Sequence, residues 1–364
     1  MPTLNVYIAR RVFASILIAF IIISGIIMLV DFVETSRDMG GNDNVNLVKI
    51  LYLTVLNTPM LIEQTIPFVV LFGVMGALFA LNRHSELIVM RASGLSAWRF
   101  LQPAALVAAL IGVIWVIALN PLAAFTQSKR QAFVETLNRD QPANIQDKPI
   151  WLREGTPDSQ IVIHANKVDL EHHQLYDATF YILDHTPDGR PELTTRYDAK
   201  TARLFKQGFW LLNGVLENEL GKAPKHYDSI SKETKITWKD IRDGTQAAQT
   251  PPFWRIGKEI KKAKAAGFET TTLSVKMHKM LALPITLIAM TIIAAGATLN
   301  MRRSGGTLRV LIAGGVLGFG VYFIDHLIEA FGKTGVLPAA LAAWSVPLLV
   351  LFSGLAFLSW IEDG

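Results

Sequence analysis

The sequence predicts a polytopic α-helical membrane protein: six transmembrane helices with an all-β, jellyroll-like domain inserted between the third and the fourth. Three observations carry this expectation. Of 364 residues, 51% are hydrophobic and only 18% charged, and the apolar ones fall in long blocks, which is a membrane-protein profile. Residues 12–30 hold no charge, over a length that crosses about 30 Å of hydrocarbon at about 1.5 Å per residue. Between the third and fourth blocks lie about 160 residues of ordinary soluble composition, in which apolar and β-branched residues alternate in short runs.

The first block is too long for the apolar region of a signal peptide and lacks a small-x-small cleavage site, so it reads as a retained span. Further spans are expected at 62–81, 103–119, 281–299, 308–323 and 337–361. Glu63 and Pro67 stand near the start of the second, so a helical stretch from Leu47 is expected to break outside the core and resume at Pro67. Arg10 and Arg11, then Arg83, Arg91 and Arg99, then Arg302, Arg303 and Arg309 fall on one side of the six spans. The other side has Arg37, Lys49 and Lys333 in its short loops, among Asp31, Glu34, Asp38 and Asp43. By the positive-inside rule both termini and the 82–100 connector are cytoplasmic, and the inserted domain is outside.

That domain is expected over 120–250. Its runs include IVIHANKVDL (161–170), ATFYILDH (178–185), TARLF (201–205), FWLLNGVLENEL (209–220) and KITW (235–238), with turns at Asp188-Gly189 and Gln207-Gly208. Such spacing suits a sandwich or jelly roll. After Pro251-Pro252, FWRIGKEIKKAKAAGF places Phe253, Ile256, Ile260 and Ala263 at helical spacing, ringed by Lys258, Lys261, Lys262 and Lys264. This amphipathic connector (251–279) is either a headgroup-level helix joining domain to span or one whose lysines meet an anionic lipid. The last three spans fill 280–364.

Several motifs resolve into weaker readings. FGKTG (331–335) ends like a Walker A loop, but the required upstream glycine is Leu327 and two membrane spans flank it, so nucleotide binding by this chain is excluded. His172-His173 beside Glu171 reads as a turn rather than a metal site. The chain has no cysteine, hence no disulfide or thiolate chemistry, and a net charge of +5 carries no nucleic-acid signature. Asp325, His326 and Glu329 are either a helix-end polar cluster or the polar group of an intramembrane enzyme. Gly314 and Gly318 form a GxxxG pair for close helix approach, in a span that could also slide or open.

The 82–100 connector is richly furnished. A short helix at about 84–93 places Leu87, Ile88, Leu95 and Trp98 on one arc with Met90 near its edge, and Ser85, Glu86, Ser93 and Ser96 opposite. Gly94 suits a helix end and Ser96 the N-cap of the third span. The helix lies in the headgroups or docks a partner.

RHSELIVMRASGLS (83–96) closely resembles the cytoplasmic coupling segment of the lipopolysaccharide export permeases, the LptF/LptG (YjgP/YjgQ) family. KKAKAAGFETTTLSVKMHKMLALP (261–284) and VYFIDHL (321–327) resemble that family's entry to the fourth span and end of the fifth, and the order of elements is similar throughout. LVDFVE (29–34) is more like the LptG branch. The resemblance implies a non-enzymatic transporter half in a Gram-negative inner membrane with its β-domain periplasmic. It pairs with a sister LptF-type permease, and two copies of the ATPase LptB bind the ATP and magnesium, so this chain needs no cofactor. LptC, the periplasmic bridge protein LptA and lipopolysaccharide complete the partners. It also implies that His84, Ser85, Glu86, Leu87, Met90, Arg91, Gly94 and Leu95 form the ATPase-coupling surface. There Glu86 meets a basic group, with Leu87, Met90 and Leu95 packing around it. Asp31, Arg37, Gly314, Gly318, Tyr322 and Asp325 are candidates for the lipid path and gate. Where many members carry lysines at the outer end of the first span, this chain has Met28, Glu34 and Thr35, which leaves Arg37 as the nearby cation. The alternatives are the LptF branch of the same family, another lipid or lipoprotein exporter half, and a membrane sensor or scaffold.

Overall fold

A computed structural model describes residues 2–39, 45–93, 96–138, 145–146, 149–155, 159–169, 172–185, 191–205, 208–238, 241, 251–265, 269–299 and 307–363. It divides into two compact units, Met1–Arg130 with Pro251–Lys261 and Glu269–Gly364, and Gln131–Thr250 with Lys262–Phe268.

The first unit is helical. Helices α1 (Pro2–Met39) and α2 (Leu47–Arg83) are followed by the short α3 (Glu86–Ala92). Next come α4 (Ala97–Ile114), a π-helical turn at Trp115–Leu119 and α5 (Asn120–Asn138). The chain returns through α6 (Phe253–Ala265), α7 (Thr271–Leu299), α8 (Thr307–Lys333) and α9 (Ala339–Asp363). Among the described residues six helical stretches are long and apolar enough to cross a membrane: Thr3–Met39, Leu47–Arg83, Trp98–Val134, Thr271–Thr298, Ile312–Lys333 and Ala339–Trp360. The apolar windows of α2 and α7 are 56% and 50% buried, those of α1 and α8 only 11%, so the second and fourth spans form the centre of the bundle and the first and fifth its rim.

Three sequence expectations change. The second span is one uninterrupted helix through Pro59 and Pro67. A break among apolar neighbours would orphan more backbone groups than the single bond each proline removes, and the Thr58 and Thr65 hydroxyls donate to carbonyls one turn back. The third span does not stop at Leu119 but continues through the π turn into α5, so the strands begin well after residue 120. The helix that carries the fourth span starts at Thr271, ahead of the expected Leu281. Apolarity marks the stretch that must sit in hydrocarbon, while hydrogen bonding carries a helix beyond it.

Among the described residues the second unit holds an antiparallel sheet of seven strands, β1 (Ile145–Gln146), β2 (Ile150–Gly155), β3 (Ser159–Asp169), β4 (Gln174–His185), β5 (Pro191–Phe205), β6 (Phe209–Glu219) and β7 (Lys225–Glu233). From β3 to β7 each strand pairs with the next, and β1 and β2 share the free edge of β3. The inserted domain carries an antiparallel β-sheet as expected, and its described strands follow one another as a sequential meander.

Simple alternation does not describe its core. Trp210 and Leu212 are buried on β6 and then Val215; on β4, Leu175 is followed by Ala178 and Phe180. The skip of three coincides with left-handed residues, Gly214 at φ +60° and Asp177 at φ +49°, where the pleat inverts. Their neighbours on β3 and β5 skip in the same row, from Ala165 to Val168 and from Ala199 to Ala202. Both halves of the long strands thereby bury their apolar residues in one cluster.

Candidate functional site

The 82–100 connector is built from a helix end and a reversal. The backbone N–H of His84 still donates to Ala80 at 3.1 Å, and Ser85 then turns the chain at φ +59°. Glu86 opens α3, and the Ser93 hydroxyl closes it by donating to the Met90 carbonyl at 2.8 Å.

Glu86 is held in place by the start of α1. The Tyr7 hydroxyl donates to its carboxylate at 2.9 Å, Arg11 Nε donates to the Tyr7 hydroxyl at 3.1 Å, and the Arg11 guanidinium stands 3.8 Å from the other carboxylate oxygen. All three side chains are partly exposed, so solvent screens these contacts and each is weak. They fix the direction of the carboxylate and leave it ready to exchange partners. Met90 points the other way, only 8% exposed in a cluster with residues of α1 and α2, and Trp98 packs on the same cluster. In this structure Met90 seats α3 on the protein's own bundle. Among the described side chains of α3, Val89 faces outward, 67% exposed, and sequence projection missed it. The side chains of Leu87 and Arg91, together with Gly94 and Leu95, lie outside the described residues.

The gate candidates are mostly occupied within the chain. Asp31 is buried and accepts from Asn57 Nδ2 at 2.6 Å through one oxygen, while its other oxygen has no hydrogen-bond partner among the described residues; Arg37 is exposed. Gly314 and Gly318 bring α8 against Met75 and Leu71 of α2, and the Tyr322 ring meets Phe68 and His326 in tilted contacts, with centroids 5.0 and 4.0 Å away. Asp325 and Glu329 of α8 both receive the Lys279 ammonium of α7, Glu329 at 2.7 Å, and Lys333 reaches Glu329 at 2.7 Å. Ligand atoms of Asp325, His326 and Glu329 come within 4.8 Å of one another, but Lys279 already supplies their cation. The cluster is an ion-paired lock between the fourth and fifth spans.

A second polar junction was not legible as such. Asn120 is 3% exposed. Its amide donates to both Glu63 oxygens, at 3.0 and 3.1 Å, and its carbonyl oxygen accepts the Phe253 backbone N–H at 2.8 Å. One side chain thus joins α2, the first residue of α5 and the start of α6, directly after a π turn, a local form common at functional positions. The sequence signal was a lone glutamate in an apolar span, but its partner lies 57 residues away. Asn120→Ala is expected to lower stability in detergent by about 2–3 kcal/mol, since a buried carboxylate and a helix N–H lose their partners. Asn120→Asp should be worse, because it faces Glu63 with a second carboxylate; a melting series in the opposite order would remove the junction.

In the β-unit, Ile161, Ile163, Phe180, Ile182 and Trp210 line an apolar recess with Glu154, Tyr197, Lys232 and Glu233 around it. Glu154 accepts from the Thr234 hydroxyl at 2.5 Å and from the Lys235 backbone N–H, clasping the end of β2 to the segment after β7. The Tyr197 hydroxyl donates to Glu217 at 2.8 Å and accepts from Lys232 at 3.1 Å. Burial, reinforced by the carboxylate, pushes that phenol up to about 12, and the same hydrogen bond holds Glu217 below the usual carboxylate range.

No curated protein matches the chain. The family described as lipopolysaccharide export system permease LptF/LptG matches residues 6–360. That match takes in the six spans, the connector and the β-unit together, so the chain belongs to the LptF/LptG family of lipopolysaccharide export permeases.

Proposed function

We propose that this permease is the LptG-type half of an ATP-driven exporter, and that Glu86 is its contact with the cytoplasmic ATPase LptB. Family membership makes it a multi-pass inner-membrane transport subunit. The finer reading places the termini and α3 in the cytoplasm and the β-unit in the periplasm. It also makes the sister LptF a transmembrane partner, brings in LptC and the bridge protein LptA, and leaves ATP and magnesium to LptB.

The observation that carries the coupling role is the state of Glu86, a carboxylate oriented by Tyr7 and Arg11 yet only weakly held. An incoming basic group can take it over, and desolvation on docking then makes the new pair far stronger than the old one. The same contacts connect α3 to the root of the first span, so a pull on Glu86 acts on α1. The rim helices α1 and α8 pack on different faces of α2, the former at Gly73 and Gly76, the latter at Leu71 and Met75. Movement of either can open a lipid path without unpacking the centre. The apolar recess of the β-unit would take acyl chains once the Glu154 clasp opens.

Glu86→Ala is expected to lower co-purification of LptB at least about tenfold and to abolish lipid-stimulated ATP hydrolysis, since truncating one partner of a docked charge pair costs about 2–5 kcal/mol. Tyr7→Phe, which removes only the internal hydrogen bond, should retain LptB. Wild-type association and export in Glu86→Ala would end the coupling assignment.

A further inference from the structure

Helix α6 divides cleanly by face. Phe253, Ile256 and Ile260 pack against Val116 of the π turn and Leu273, Met277 and Met280 of α7, with Ile256 fully buried. On the opposite face Trp254, Arg255, Lys258 and Lys261 are exposed, Trp254 at 59%. At 3.6 residues per turn, Trp254, Lys258 and Lys261 stand above one another with Arg255 beside them. Among the described residues none of these three cations has an ion-pair or hydrogen-bond partner.

The level of this face follows from what lies beneath it. Along α7, Lys276 and Lys279 precede an uncharged stretch from Met280 to Leu299 that is long enough to cross hydrocarbon. Since α6 rests on residues 273–280, it stands where the fourth span leaves the apolar core. It cannot swing away freely, because Asn120 binds its first backbone N–H. An exposed tryptophan flanked by unpaired cations at this depth has the composition of a headgroup-level belt.

We propose that the Trp254–Arg255–Lys258–Lys261 face is a binding surface for anionic phospholipid headgroups of the surrounding bilayer. The indole lies at the acyl boundary and the cations reach the phosphates, each enriching anionic lipid about fivefold at a fully charged surface. This rests on the membrane location alone and is independent of the coupling role of Glu86.

The absence of cysteine makes the test direct. Gly257 lies on α6 with nothing within 4 Å of an added Cβ, so Gly257→Cys accepts a fluorophore without disturbing packing. The labelled full-length protein is placed in nanodiscs of phosphatidylcholine doped with headgroup-nitroxide phosphatidylglycerol or headgroup-nitroxide phosphatidylcholine. Phosphatidylglycerol is expected to quench at several-fold lower mole fraction, with the difference shrinking at high salt and vanishing in Lys258→Glu/Lys261→Glu. Lys258→Gln/Lys261→Gln should fall between. Equal quenching by the two lipids overturns the proposal, as does selectivity that survives the charge reversal. Quenching relieved by lipopolysaccharide but not by unlabelled phosphatidylglycerol assigns the face to cargo and overturns it as well.

Discussion

Lys279→Met is expected to destabilise the bundle by about 3 kcal/mol, the low end of the cost of breaking a buried ion pair, because the groups involved retain about one-fifth of their exposure. The lysine ties α7 to α8 through two carboxylates at once. Without it, among the described residues, Asp325 has no cation and Lys333 alone serves Glu329. Methionine keeps the length and apolar stem of lysine, so the loss reports charge rather than volume. Thermal unfolding in detergent measures it, and Lys279→Met with Asp325→Asn supplies the control: removing the stranded charge should recover more than half of the loss, a coupling that a double-mutant cycle isolates. If the single variant melts with the wild type, the fourth and fifth spans are held by packing alone. For transport the same network has a second consequence. Asp325 was a candidate to meet substrate, yet in this conformation it is taken by Lys279, so the end of the fifth span contacts cargo only if that pair first opens.

The fold was readable from the sequence where one physical constraint acts locally. Charge-free length announced the spans, and β-branched alternation announced the inserted strands. Expectation failed where a side chain answers to something distant in sequence. Pro67 looked like a break because its neighbours in the other helices were invisible, and Glu63 looked like part of that break because Asn120 lies 57 residues on. Burial on β4 and β6 skips a residue because Asp177 and Gly214 adopt left-handed backbone, which composition alone does not reveal. At the connector the helix and its reversal were legible, but the apolar arc did not tell which residues face inward. Met90 and Trp98 turn to the bundle, leaving Val89 outside. Family resemblance pointed to Glu86, while its tether to Tyr7 and Arg11 emerged only in three dimensions.

Glycine placement shows the same limit and leads to the second large effect. The GxxxG pair drew attention to the fifth span, yet a Cβ at Gly314 would meet the Met75 thioether, a flexible end that can rotate aside. At Gly73 the atoms in the way are backbone: a Cβ would lie 2.5 Å from Ile16 Cα and 3.0 Å from its nitrogen. Carbon atoms settle at about 3.5–4 Å, so any side chain here must push α1 off α2 by about 1 Å. Gly73→Val is therefore expected to cost about 3 kcal/mol, the upper range for overpacking, whereas Gly314→Ala should cost less than about 1.5. The separation can be read directly, because a Cβ at Gly76 would lie 2.9 Å from Ser15 Oγ: Ser15→Cys/Gly76→Cys should cross-link on oxidation in the otherwise cysteine-free chain and fail to do so once Gly73→Val is added. Efficient cross-linking in the triple variant would show that the helices absorb the extra atoms without parting. The displacement should also reach the connector, since Tyr7 and Arg11, which hold Glu86, lie on the same helix as Ile16. Gly73→Val is thus expected to weaken ATPase association although it touches no residue of the proposed docking surface, and wild-type association in this variant would show that the crossing of the first two spans does not reach the connector.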